Sequence, residues 1–285
     1  MSTESTTAGN GARIALFGAG KIGEALLAGL LSAGRSSDDV VFVEPSGERS
    51  AEMTHRYGVR AVDAAEAART ADLVVLAVKP PAAAPLLDGL DELRDGTLVV
   101  SLCAGVSTEA LQAHLPTGSP VVRVMPNTPM LVGEGMSAVS PGAHATEEHL
   151  ALVEEMMRSV GRVVRVPESQ QDAVTAISGS GPAYLFLVVE ALVEAGVALG
   201  LPRPVATELA TQTAVGAAHM ARDSGEHPAL LREAVTSPGG TTAAALAQLE
   251  AHGLRTAFAV ATRAARDRSA ALGTPDSAGT SSPAG

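Results

Sequence analysis

Residues Arg13 to Gly34 read RIALFGAGKIGEALLAGLLSAG. The apolar run Ile14-Ala15-Leu16-Phe17 predicts a buried parallel strand. Gly18, Gly20 and Gly23 follow at GxGxxG spacing. Glu24, Ala25, Leu26, Leu27, Leu30 and Leu31 then predict a helix with one apolar face, ending at Gly34. Strand, glycine turn and helix in that order make the spacing informative. Gly18 permits the tight turn, Gly20 lets a pyrophosphate approach the backbone, and Gly23 lets the helix pack closely on the strand. The helix start offers N–H groups and a positive dipole end to phosphates. Gly18, Ala19, Gly20, Lys21, Ile22 and Gly23 are therefore expected to bind a dinucleotide.

Working outward, Val40-Val41-Phe42-Val43 is the second strand, and it ends at Glu44. An acidic residue here suits the ribose hydroxyls of an NAD-type cofactor. Ser46 and Arg49 follow at once and could hold a 2′-phosphate, or could be a helix cap and a solvated side chain. NADH and NADPH both remain open. Asp72 to Val78 is the next strand, running into Lys79-Pro80-Pro81. Ligands bind at the carboxyl ends of such strands, so Ala77, Val78, Lys79 and Pro80 join the expected cofactor site. Lys21 and Lys79 are the only lysines against eighteen arginines, and both fall where a cofactor would lie. Pro120 to Met125 leads into Pro126-Asn127-Thr128-Pro129, a loop frozen by two prolines. Met125, Pro126 and Asn127 are placed at the nicotinamide; the plainer alternative is a rigid strand-to-loop turn.

Further short strands are expected at Gly58–Ala61, Thr97–Cys103, Met136–Ser140 and Arg162–Val166. After Pro167-Glu168 the chain reads as helix, interrupted at Ser178-Gly179-Ser180-Gly181-Pro182. The fold expected is α/β: an N-terminal Rossmann-type doubly wound sheet, then an all-α dimerisation domain. The expected divisions are a disordered tail at 1–11, a dinucleotide-binding domain at 12–169, a helical dimerisation and substrate domain at 170–273, and a disordered tail at 274–285.

The 285 residues are 46% hydrophobic, with no Trp, two Tyr and four Phe, so the core must be built from Ala, Val and Leu. A formal charge of −11 argues against a nucleic-acid partner, whose phosphates need Lys and Arg. The single Cys103 allows no intramolecular disulfide and fits a reducing cytoplasm. The N-terminus lacks the basic and apolar regions of a signal peptide. The longest apolar helix, Ala183 to Leu201, is broken by Glu190 and Glu194, so no membrane span is expected.

Five stretches together resemble the pyrroline-5-carboxylate reductase family: GAGKIG, AVKP at Ala77 to Pro80, RVMPNTP at Arg123 to Pro129, AISGSGPAY at Ala176 to Tyr184, and TSPGGTT at Thr236 to Thr242. They stand in the family's order and span most of the chain. The resemblance implies reduction of 1-pyrroline-5-carboxylate to L-proline with NADPH or NADH, and a helical domain that forms a homodimer and often a higher oligomer. Ile22 stands where the family usually has Met. Gly225 and Glu226 occupy the region where some members carry an acidic contact.

The residues themselves fit that chemistry. A cyclic imine is readily protonated, so its reduction needs no strong general acid, and none of the seven histidines lies in a motif. No metal is expected. Ser237, Gly239, Gly240, Thr241 and Thr242 supply backbone N–H groups just before a helix, a nest for the substrate carboxylate, although an ordinary interhelical turn would read the same way. Gly239, Gly240 and Thr241 are the expected carboxylate site, with Ser237 beside it. Thr242 is placed at the imine nitrogen, as the resemblance also implies. Competing functions are a 3-hydroxyacid dehydrogenase or a cyclic imine reductase of similar plan, and an NAD(P)-sensing module. The long helix after the sheet has no Lys, which counts against the hydroxyacid enzyme.

Overall fold

The computed structural model describes residues 11–90 and 92–272. Apart from Gly11, the expected tails lie outside the described residues. Among these residues eight strands form one sheet: β1 (Ile14–Phe17), β2 (Val40–Val43), β3 (Arg60–Ala61), β4 (Leu73–Leu76), β5 (Leu98–Ser101), β6 (Val121–Met125), β7 (Gly135–Pro141) and β8 (Gly161–Arg165). Their spatial order is β3-β2-β1-β4-β5-β6-β7-β8. The first six run parallel, β7 is antiparallel to β6, and β8 is parallel to β7. Connection length explains the reversal. Residues 126–134 are too few for a crossover helix, which needs about a dozen or more residues, so β6 and β7 can only pair antiparallel.

Every residue of β1 and β4 is buried, because the sheet is covered on both faces. One face packs on Leu26, Leu27 and Leu30 of α1 (Lys21–Ser32), with Met53 of α2 (Gly47–Tyr57) and Val153 and Met157 of α6 (Glu147–Arg158). The other packs on Ala67 and Ala68 of α3 (Ala64–Thr70), Leu87 of α4 (Ala83–Asp88) and Leu111 of α5 (Thr108–Gln112). This is the doubly wound plan expected, filled with small and aliphatic side chains. In register, Phe17 aligns with Val43 and Leu76, Leu76 with Ser101, and Ser101 with Arg123. The carboxyl ends of β1, β2, β4 and β5 therefore stand level, and β6 projects slightly beyond them.

After β4, α4 (Ala83–Asp88) is preceded by a 3₁₀ turn over Pro80–Ala82. Proline suits a first turn, where its missing N–H has no acceptor, so the helical region starts early. The SGSGP stretch is no loop. After α7 (Gln171–Val174) the backbone stays helical through a π turn, Thr175–Gly179, into α8 (Gly181–Ala198). Pro182 sits in the first turn of α8, where it breaks nothing.

The contacts divide the chain after Gly179, later than the expected boundary at 169, and return Ala265 onward to the first unit. Gln171 and Ala176 are buried in that first unit, which keeps the segment with the sheet. Ser269 Oγ, on α12 (Leu254–Leu272), donates to Asp172 Oδ1 at 2.7 Å within the same unit. The second unit, Ser180–Ala264, contains α8, α9 (Arg203–Asp223), α10 (Pro228–Ala234), α11 (Thr241–Ala251) and the start of α12. Its buried cluster is only Val193, Ala206 and Ala210. Leu185, Phe186 and Leu187 are each about two-thirds exposed. The helical run Glu168–Ala198 is long and apolar enough to cross a membrane by length and composition alone.

Candidate active site

The glycine turn joins β1 to α1. Gly18 has φ +100°, and its N–H donates to the Val43 carbonyl at 2.9 Å. A Cβ at Gly18 would lie 2.7 Å from the Ala77 carbonyl oxygen, and one at Gly23 would be driven into the Gly18 carbonyl. A Cβ at Gly20 would meet nothing within 4 Å. The turn is thus closed toward the protein and open at Gly20, the side a pyrophosphate would approach. Gly20 caps α1 without a side-chain bond, so the N–H groups of Lys21, Ile22 and Gly23 have no acceptor within the helix.

Side chains from the end of β2 hold this turn. Glu44 Oε2 accepts from Ala19 N at 3.0 Å, and Oε1 accepts from Ser46 N at 3.0 Å. Ser46 is the N-cap of α2 (Gly47–Tyr57), its hydroxyl accepting from Arg49 N. Arg49 Nε donates to the Ala19 carbonyl at 2.9 Å, and its other nitrogens donate to Glu24 and Glu52. Arg56 and Tyr57 also donate to Glu24. Burial pushes the Glu24 carboxyl up, but the bonds from Arg49, Tyr57 and Arg56 outweigh it and hold the group below its usual range.

Farther along the same edge, Ala77 and Val78 are half-buried while Lys79 and Pro80 are exposed beyond β4. Cys103 is buried, and its Sγ donates to the Val78 carbonyl at 3.3 Å; burial raises its thiol pKa, which makes it a structural hydrophobe. Past β6, Pro126 is buried and Met125 and Asn127 are half-buried. Asn127 Nδ2 donates to the carbonyl and hydroxyl oxygens of Ser178 at 3.2 and 3.3 Å, while its Oδ1 accepts from Met136 N at 2.8 Å. The π turn therefore holds the proline-framed loop. The strand behind that loop carries buried Arg123, whose Nη1 donates to Glu168 Oε1 at 3.3 Å. Glu168 also accepts from the Thr108 amide and hydroxyl.

In the second unit, Thr236 to Thr242 forms the turn into α11. Gly239 has φ +71°, the left-handed value that favours glycine. Gly240 is the helix cap, no side-chain hydrogen bond closes it, and the Ser237 hydroxyl lies where a Cβ on Gly240 would go. The N–H groups of Thr241, Thr242 and Ala243 are left without helical acceptors. Gly240 differs from expectation: its own N–H donates to the Ser237 carbonyl at 3.0 Å, closing the turn. That leaves the N–H groups of Gly239, Thr241, Thr242 and Ala243 without backbone acceptors. The Gly18–Asn127 set and the Ser237–Thr242 set thus lie in different units. His149 and His227 cap helices and His114 pairs with Asp88.

Two family models match: pyrroline-5-carboxylate reductase dimerisation over residues 168–272, and NADP oxidoreductase, coenzyme F420-dependent, over residues 13–105. The pyrroline-5-carboxylate reductase of Corynebacterium melassecola is 48% identical, covering 91% of this chain and 98% of its own. This chain belongs to the pyrroline-5-carboxylate reductase family. The reductase of Mycobacterium tuberculosis H37Rv is 46% identical over 92% of this chain and 97% of its own. The solved pyrroline-5-carboxylate reductase of Coxiella burnetii superposes with a TM-score of 0.89 at 37% identity, covering 93% of this chain and all of that one. The Plasmodium falciparum pyrroline carboxylate reductase, solved with NADP bound, gives 0.83 at 31% identity over 92% and 98%.

Glu24 and Glu168 lie in no motif of the sequence, and Ser178 lies inside AISGSGPAY with nothing local to signal its partner Asn127. Arg123 stands in the RVMPNTP motif, and a charge inside the apolar strand VVRVM is itself a signal for a buried partner. Nothing local signals Glu24, whose partners stand 25 to 33 residues away.

Proposed function

We propose that this chain reduces 1-pyrroline-5-carboxylate to L-proline with NADPH or NADH, the last step of proline biosynthesis. The observation that carries the substrate assignment is the start of α11, whose first backbone donors have no side-chain cap bond. The glycine turn fits a dinucleotide: Gly18 and Gly23 have no room for a Cβ, whereas Gly20 borders open space. When bound, the nicotinamide supplies the hydride that saturates the C=N bond. The amides of Lys21, Ile22 and Gly23 hold the pyrophosphate. Met125, Pro126 and Asn127, fixed by Ser178, border the nicotinamide, and Ala77, Val78, Lys79 and Pro80 flank it.

The amides of Gly239 and Thr241 hold the substrate carboxylate beside Ser237, and Gly240 keeps the turn closed. The Thr242 hydroxyl orients the ring and relays a proton at the imine nitrogen. Because that nitrogen is readily protonated, Thr242 assists rather than being indispensable.

The exposed apolar faces of α8 and α9 support a homodimer as the working unit, with further assembly into a higher oligomer. Glu190 and Glu194 on α8, and the dimerisation model over the same residues, favour a second copy over lipid as its cover. The lone buried thiol supports a cytoplasmic location. Dinucleotide absorbance followed with pyrroline-5-carboxylate, 3-hydroxyisobutyrate and a bulky cyclic imine separates the functions. Turnover confined to the first supports the proposal. Turnover confined to either other substrate transfers it to that class, and binding of NAD(P)H without any turnover leaves a sensing module.

A further inference from the structure

On sequence alone the β2–α2 loop serves either cofactor, since Glu44 suits a ribose diol and Arg49 a 2′-phosphate. The structure engages both side chains. Both Glu44 oxygens accept backbone N–H groups, one from Ala19 in the glycine turn and one from Ser46. That fixes a negative charge at the end of β2, where an acidic residue recognises an unsubstituted ribose. All three guanidinium nitrogens of Arg49 donate: Nε to the Ala19 carbonyl, Nη1 to Glu52 and Nη2 to Glu24. Glu24 is itself held in place by Arg56 and Tyr57. Glu24 and Glu52 thus engage Arg49, while Glu44 and Arg49 hold the N–H and the carbonyl of Ala19. The Ser46 hydroxyl accepts as a helix cap.

We infer that this chain prefers NADH to NADPH, and that Glu24 on α1 is a positioning residue for that choice because it engages Arg49, the guanidinium that reaches the glycine turn. The inference rests on the cofactor site proposed above. Selectivity comes from both sides: Glu44 repels a 2′-phosphate, and the cation that would offset the repulsion is already paired. Arg49 supports the glycine turn for either cofactor through the Ala19 carbonyl. Loss of Arg49 should therefore weaken both alike, whereas loss of the Glu24 charge should release Arg49 to the phosphate.

Titration calorimetry of the full-length chain with ADP-ribose and with 2′-phospho-ADP-ribose tests this apart from turnover, alongside kcat/KM for NADH and NADPH. The wild type should bind ADP-ribose about 10-fold tighter or more, with a matching kinetic preference. Glu24→Gln should narrow that gap about 5-fold by improving the phosphorylated ligand. Arg49→Gln should weaken both fragments by a similar factor, and the double variant should lose the gain seen in Glu24→Gln. A wild type that favours the 2′-phosphate, or an Arg49→Gln that selectively loses the phosphorylated fragment, overturns the inference. If neither fragment binds, the cofactor site beneath it falls as well.

Discussion

Glu168→Gln tests whether burial, rather than bond length, decides the worth of an ion pair here. Arg123 is 5% exposed, and its Nη1 donates to Glu168 Oε1 at 3.3 Å, while Nη2 is buried without a partner. Glutamine keeps the size and one acceptor oxygen for Thr108 but leaves the guanidinium uncompensated. Removing one partner of a buried pair costs about 3–5 kcal/mol. The Glu168 side chain is 27% exposed, so water screens it, and about 2–3 kcal/mol is the value to expect. In a folding unit of roughly 150–250 residues each kcal/mol moves Tm by about 2–4 °C, so melting should fall by about 4–12 °C. Glu92→Gln is the contrast. Its bond from Arg69 is shorter, 3.0 Å, but the two side chains are 51% and 65% exposed, so the loss should stay under about 1 kcal/mol. Scanning calorimetry and urea midpoints at neutral pH, in low and high salt, read both variants. Salt should erase the Glu92 effect and spare most of the Glu168 effect. If the two variants agree within about 0.5 kcal/mol, the weight given to burial is wrong.

Thr242→Val keeps the branched shape and removes a hydrogen bond of about 1–3 kcal/mol, so kcat/KM should fall roughly 5- to 150-fold while NADH affinity holds; the reverse pattern would move the substrate elsewhere. Leu187→Glu puts a charge on the exposed apolar face of α8, and light scattering should then find monomers without turnover; an active monomer would refute the dimer as working unit. The Arg165 hydrogen bond, against burial and with help from Arg158, holds the Glu154 carboxyl below its ordinary 4.5. A depressed folded pKa contributes stability above the unfolded value that is lost as pH falls through the folded one. Glu154→Gln should accordingly lower the urea midpoint at pH 7 and flatten its decline below about pH 4.5; an unchanged acid limb would remove Glu154 from the account.

The sheet was legible because its central strands are buried on both faces, which forces runs such as Ile14–Phe17 and Leu73–Leu76 to be apolar throughout. The glycine turn was legible because Gly18 and Gly23 answer local steric demands. The Ser46 cap was visible as one of two readings, and its hydroxyl accepts from Arg49 N as that reading requires. Helical continuity through Ser178 and Gly179 was not visible, since Gly and Pro punctuate most sequences and the packing that overrides them is tertiary. The same holds for Glu24 and Arg49, each unremarkable on its own helix, whose meaning lies in a contact between helices.

The bond from Ser269 to Asp172 joins residues 97 apart, and Ser269 is 4% exposed. During synthesis most of the sheet-bearing unit emerges long before α12 does, yet part of its surface is completed by that helix. Vectorial folding therefore cannot finish the nucleotide-binding unit and then move on to the helical one. The nascent chain carries Asp172 without Ser269 through translation of the entire intervening segment, so the arrival of α12, rather than completion of the sheet, closes the first unit.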